Sequence, residues 1–216
     1  INICLTMSNY QLFQNDLPSQ SLKSFKGSIS IDTETLGLNI KRDRLCLIQL
    51  KNEHNKKIYL IQFDSDLSPK NSKNIKTLLE NKSLIKIFHY ARFDMAVLRY
   101  NLGIKVKNVF CTKIASKLTR TYSSKHGLKD IVKELLNVEL DKSEQTSDWS
   151  QKKLTKQQIK YAINDIEYLM EMKNHFEIKL KNQKRLKTYN NIMNFLDTRV
   201  DLDLMGWENS DIFAHK

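Results

Sequence analysis

Three apolar runs rich in Ile and Leu dominate the first third of the chain: GSISIDTETLGL (27–38), RLCLIQLK (44–51) and KKIYLIQF (56–63). Short polar connections separate them, which predicts three consecutive strands in an antiparallel meander. The pattern then alternates. PKNSKNIKTLLEN (69–81) opens on Pro and Asn and carries Leu78 and Leu79 near its end, as a helix does. LIKIFHY (84–90) predicts a short strand, and ARFDMAVLRYNLG (91–103) an amphipathic helix closing at Gly103. VKNVFCT (106–112) predicts a further strand leading into KIASKLTR (113–120), and GLKDIVKELLNV (127–138) sets Leu128, Ile131, Val132, Leu135 and Leu136 on one side of a helix. A polar stretch, DKSEQTSDWSQKK (141–153), precedes a single long helix from near Thr155 toward Leu180. NQKRLKTYNNIMNFLDTRV (182–200) predicts one more helix and DLDLMGWENSDIFAHK (201–216) a short irregular tail. Early strands followed by strand–helix alternation imply a mixed sheet with helices packed on it.

Composition narrows the class. With 216 residues, 40% hydrophobic content, five Gly and two Pro, the chain is expected to be compact and long enough to bury a full core. Cys4, Cys46 and Cys111 are odd in number and far apart, so they are expected as reduced core residues of a cytoplasmic protein rather than disulfides or zinc ligands. No apolar run is long enough to span a membrane. The opening INICLTMSNYQLF has no basic start followed by an apolar stretch, so no signal peptide is expected. The formal charge of +12 suits an anionic polymer as partner. Between Gln151 and Thr188 ten Lys or Arg face four acids, although Lys-rich coding bias accounts equally well for any single lysine.

The acids carry the chemistry. Asp32 and Glu34 stand two apart at the end of the first apolar run, and a strand turns residues i and i+2 to one face, so two carboxylates emerge side by side. Tyr161 and Asp165, four apart in a helical pattern, share a face. Asp94 lies in the first turn of the helix over 91–103, a place the helix dipole alone favours for an acid. Singly, each has an ordinary reading: a turn or cap for DTET, a solvated helix face for NDIEYL. Together, four converging acids would repel and take up protons unless cations sit between them. Oxygen-only ligation suits magnesium or manganese, and a pair of such ions about 4 Å apart is the clamp of phosphodiester cleavage. The pattern implies a metal-dependent nuclease. His54, His126, His175 and His215 show no metal-ligand spacing.

With acids in the order strand, helix, helix and Tyr161 one turn before the last, the sequence resembles the DEDD superfamily of 3′–5′ exonucleases in its tyrosine branch. The histidine branch would carry His five residues before Asp165, where Lys160 stands. Through IDTETLGL with CLIQL after it, FHYARFDMAVL, LDKSEQTSDWSQKKLTKQQIKYAINDIEYL and the tail DLDLMGWENSDIFAH, it resembles the ribonuclease D family in its short bacterial form. The resemblance implies a ribonuclease-H-like α/β fold, with an exonuclease domain over 1–180 and a helical extension and tail over 181–216 packed on it. It leaves no room for the C-terminal helical nucleic-acid-binding domains of the long form. It also implies two divalent ions, Mg2+ or Mn2+: Asp32, Glu34 and Asp165 on one, Asp32 bridging to the other, Asp94 holding that second ion through water, and Tyr161 aiming the attacking water.

The expected substrate is the 3′ end of single-stranded RNA, released as 5′-mononucleotides. By resemblance, Leu38 and Phe93 wedge or stack against the terminal base, though each also fits a plain core role. His89 contacts substrate or hydrogen-bonds within the sheet. Lys142 and Gln145, beside Trp149, hold phosphates, while the same DKSEQTSDW segment also serves to cap the long helix and dock Trp149. Three alternatives stay open: the same chemistry on DNA, a nucleic-acid-binding module without turnover, and an adaptor acting through its C-terminal helices.

Overall fold

The computed structural model describes residues 10–65, 68–141 and 143–215. The three apolar runs form β2 (Ser28–Thr35), β3 (Leu45–Asn52) and β4 (Ile58–Gln62), paired antiparallel as a meander. Two further strands follow on one side, β5 (Ile85–Phe88) parallel to β2 and β6 (Val109–Cys111) parallel to β5. A strand the apolar pattern did not announce, β1 (Tyr10–Gln14), pairs parallel with β4 and completes a six-stranded sheet in the order β1-β4-β3-β2-β5-β6. Its five residues are mostly half-buried or exposed, so no apolar run marks it; Phe13 stacking on Tyr59 helps hold it in place.

The helices are α1 (Lys73–Glu80), α2 (Ala91–Leu102), α3 (Thr112–Thr119), α4 (Leu128–Leu136), α5 (Lys156–Glu167), α6 (Leu169–Asn182) and α7 (Leu186–Leu202). Strand alternation divides the core between the two faces of the sheet. Ile29, Ile31, Ile48, Leu50 and Ile61 pack with Ile75, Leu79, Met95 and Leu98 of α1 and α2. Leu47, Leu60, Ile87 and Phe110 pack with Ile131, Ile163, Ile166 and Phe176 of α4, α5 and α6. Strand β3, central and buried at all eight positions, is covered on both faces. Helix α7 reaches both clusters, through Leu196 and Val200 on one side and Tyr189 on the other, where the Tyr189 hydroxyl accepts from the Cys111 N–H at 2.8 Å.

Two expectations are revised. The segment 155–180 is two helices broken at Tyr168, not one. The tail is not wholly irregular: a wide helical turn, Asp203–Trp207, continues α7, and the buried Asp203 carboxylate accepts from both Arg92 and Arg199. Gly103 ends α2 in the left-handed conformation (φ 62°) and donates to Arg99, as the sequence predicts. Among the described residues no helix is long and apolar enough to cross a membrane.

Candidate metal-dependent nuclease site

Strand β2 supplies two of the four acids. Ile29 and Ile31 point into one core, so Asp32 and Glu34 fall on the opposite face, with α5 packed across it. Pairing with β3 sets Asp32 opposite Gln49 and Glu34 opposite Leu47, and the ladder slips between Glu34 and Thr35, ending the strand at the site. Helix α5 brings Tyr161 and Asp165. Its start is fixed by a reciprocal cap: the Gln158 N–H donates to Thr155 Oγ1 at 3.1 Å, and the Thr155 N–H to Gln158 Oε1 at 2.9 Å.

Among the described residues, carboxylate oxygens of Asp32, Glu34 and Asp165 lie within 4.8 Å of one another, all three residues half-buried. Asp94, 3% exposed, comes from the first turn of α2, and Thr33 Oγ1 donates to its Oδ1 at 2.8 Å. The electrostatics follow from crowding in a dry place. Burial, then the charges of Asp94, Asp165 and Glu34, raise the Asp32 carboxyl well above the carboxylate range. Burial and the charges of Asp165 and Asp94 do the same to Glu34, against a hydrogen bond from Gln49 that lowers it. Burial pushes Asp94 up to about 7, opposed mainly by the Thr33 hydrogen bond. An oxygen-only donor set, half-buried and strained by its own repulsion, fits a hard divalent cation. Gln49 supplies a further sign of fit: its buried Oε1 has no hydrogen-bond partner among the described residues, while its Nε2 lies 3.4 Å from Glu34.

Tyr161 is buried, its ring 5.9 Å from that of Trp149. Burial first, then the charges of Asp165 and Glu34, raise its hydroxyl far above the usual phenol value, and that hydroxyl donates to Asp165. It therefore stays protonated wherever the acids are ionised.

The other sequence-derived residues are placed unequally. Leu38 is 84% exposed on the loop after β2. That loop is tight: Asp43 accepts from the Asn39 N–H and from Arg42, and a Cβ at Gly37 would collide with the Asp43 carboxylate. Phe93 is half-buried against the α1–α2 core. The half-buried His89 has both ring nitrogens engaged within the protein, Nδ1 with Thr112 Oγ1 at 2.9 Å and Nε2 with the His126 carbonyl at 3.1 Å. Gln145 is exposed in the polar loop, and Lys142 lies outside the described residues. The rest of that loop docks onto α5: Trp149 is 1% exposed, and Gln158 Nε2 donates to Ser147 Oγ and the Asp148 carbonyl. Sequence reasoning missed Thr33, Gln49 and Tyr90. Tyr90, exposed in the turn from β5 to α2, holds a left-handed backbone (φ 73°) that is uncommon for an aromatic residue, with Lys113 Nζ 4.2 Å from its ring centroid. A buried glutamine in an apolar strand was the one visible signal, and only the register made it informative.

A mixed sheet of this order, flanked by helices, is the ribonuclease-H-like exonuclease fold, and the oxygen-only acid cluster at a strand end is a donor set that suits a divalent cation. The chain belongs to the 3′–5′ exonuclease family, whose profile matches residues 12–181. The solved structure of Brucella melitensis NrnC is similar to it at 44% identity and a TM-score of 0.90, covering 96% of this chain and 99% of that one. That protein has also been solved with bound Mg2+ and bound to pGG. Ribonuclease D of Sphingobium indicum is 32% identical over 146 residues, which are 67% of this chain and 36% of that protein. DNA polymerase I of Aquifex aeolicus is 35% identical over 142 residues, 66% of this chain and 22% of that protein. The chain thus spans well under half the length of these curated relatives. The resemblance drawn from the motifs, to the DEDD exonucleases and to ribonuclease D, is borne out.

Proposed function

We propose that the chain is a divalent-metal-dependent 3′–5′ exoribonuclease that shortens single-stranded RNA to 5′-mononucleotides. The convergence of Asp32, Glu34 and Asp165 within 4.8 Å, with Asp94 buried beside them, carries this reading. In it, Asp32, Glu34 and Asp165 would hold one divalent ion, Mg2+ or Mn2+, and Asp32 and Asp94 would serve a second. Bound there, the ions supply Lewis acidity and positive charge at the scissile phosphate. The chain's own residues do the rest. Tyr161, kept protonated and donating to Asp165, accepts a hydrogen bond from the attacking water and so aims it rather than deprotonating it. Leu38, held outward by its tight loop, and Phe93 grip the terminal base, as apolar and aromatic groups do for single strands. Gln145 and Lys142 belong to the segment that steadies phosphates, while His89, with both ring nitrogens engaged within the protein, takes the structural one of its two readings. Residues 1–180 form the exonuclease unit, and 181–216 a helical extension.

RNA is favoured by the ribonuclease D relatives and by the pGG held by the Brucella protein. A second reading, DNA as substrate, is favoured by the polymerase relative. The test is a rate comparison on single-stranded RNA and DNA of equal length, each with a 3′-hydroxyl or a 3′-phosphate, in Mg2+ and in Mn2+. The proposal expects RNA with a free 3′-hydroxyl to be degraded fastest. Preference for DNA would move the assignment to the second reading.

A further inference from the structure

The pattern of apolar positions runs one helix from Thr155 toward Leu180, yet the backbone leaves helical geometry at Tyr168 (φ −104°, ψ 5°), three residues after Asp165. A buried cation sits at that break. Lys51 of β3, 3% exposed, donates through Nζ to the Glu167 carbonyl at 2.7 Å and pairs with Glu167 Oε1 at 3.2 Å. Lysine is seldom buried unless paired. Here it serves the exposed carbonyl end of α5, where a positive charge is favourable, from a different element of the fold. The other carboxylate oxygen of Glu167 is buried without a hydrogen-bond partner, so the Lys51 contact is what compensates the burial of this side chain.

Two relations tie the contact to the acid cluster. In the β2–β3 ladder Lys51 stands opposite Ser30 and Gln49 opposite Asp32, so the anchor lies two residues along from the strand-borne acids and on their face of the sheet. Glu167 follows Asp165 by two residues, about 3 Å along the helix axis. The end of α5 therefore cannot slide or rotate without carrying Asp165, the one member of the three-carboxylate cluster that is not on β2. The contact ties the end of α5 to β3, the strand paired directly with the acid-bearing β2.

We infer that Lys51 is a positioning residue for this centre: with Glu167 it fixes the register of α5 on the sheet and so the separation of Asp165 from Asp32 and Glu34. The inference rests on reading the cluster as a divalent-cation site, and the experiment separates the two. Mn2+ is titrated calorimetrically into the full chain without nucleic acid. Lys51→Met, which keeps the chain length and drops both contacts, is expected to bind Mn2+ on the order of tenfold more weakly, as when the groups supporting metal ligands are removed. Lys51→Arg, which keeps the charge and the donors, should stay within about threefold of the unmodified chain. At saturating metal the KM for an RNA 3′ end should be unchanged in all variants, with any kcat loss recovered by added Mn2+, which a general loss of stability would not produce. Unchanged Mn2+ affinity in a folded Lys51→Met variant overturns the inference. Should that variant not fold, Glu167→Gln, which removes only the ion pair, is expected to weaken Mn2+ binding about threefold, and equal affinity there overturns it as well. If the unmodified chain binds no Mn2+, the reading of the cluster itself fails, and the positioning role with it.

Discussion

Asp32 and Asp165 owe their chemistry to company: an isolated surface acid is ionised and solvated, whereas these share one half-buried corner with Glu34 and Asp94. Replacing either by Asn removes a charge without changing volume. Asp32→Asn or Asp165→Asn should lower hydrolysis by about a thousandfold or more, since a metal's charge contributes several kcal/mol at the reacting phosphate, with the circular dichroism spectrum unchanged. Tyr161→Phe deletes only the hydroxyl and should lose about a hundredfold in rate while Mn2+ affinity holds; unchanged turnover would leave Tyr161 as a packing partner of Trp149. The same crowding has a pH signature. The folded Asp94 carboxyl, raised to about 7, favours the neutral form, so its contribution to stability is present at low pH and lost as pH rises through that value. The metal-free chain should therefore melt at a higher temperature near about pH 5.5 than near about pH 8; Mg2+ should remove the difference, and Asp94→Asn should shrink it. A melting temperature independent of pH in chelator would contradict this account. The acids and Tyr161 were legible because spacing alone puts them on common faces. Thr33 and Gln49 were not, because their roles depend on which residue lies across the ladder or at the head of α2.

The elements were legible wherever an apolar period was strong. The meander, β5, α2 and the helix after β6 follow the pattern closely, whereas β1 lacks an apolar run and the break at Tyr168, where Lys51 of β3 meets the Glu167 carbonyl, is not encoded by any local pattern. The loop before α5 shows how one segment meets two demands: Trp149 and the Gln158 hydrogen bonds dock it on the helix, and Gln145 stays exposed. The basic stretch that follows is also divided. Arg185 is spent on the Leu118 carbonyl and the buried Lys173 on Glu177, whereas Lys181, which also pairs with Glu177 at the surface, Lys184 and Lys187 are exposed on α6, the turn and α7. If they hold the RNA backbone upstream of the 3′ end, binding by the Asp165→Asn variant should weaken with salt by about 0.7 log units per log unit of salt for each phosphate neutralised. Changing Lys181, Lys184 and Lys187 together to Gln should flatten that slope and leave Mn2+ binding alone. An unchanged slope would make these lysines solvated bystanders.

At the scale of the whole molecule, the chain carries a formal net charge of +12 and yet gathers four acids at one corner, a balance that on the proposed reading favours a polyanion overall while making a cation necessary at that corner. Strand-borne and helix-borne acids meet there because the interior strand β2 ends at the site, β5 leads straight into α2, and α5 packs across β2 and β3. Helix α7 closes both cores, so the extension is packed into the fold rather than appended to it. On the proposed reading the site acts on a chain end. A covalently circular RNA should therefore survive under conditions that consume its linear form, whereas efficient cutting of the circle would show internal cleavage. The central claim is that bound cations and these four carboxylates together remove nucleotides from a 3′ end. Its most direct test follows a 5′-labelled single-stranded RNA in Mg2+, in chelator, and with the Asp165→Asn variant in Mg2+. The account predicts a ladder shortening one nucleotide at a time from the 3′ end in the first case and intact RNA in the other two; equal degradation in all three, or internal fragments in Mg2+, would contradict it.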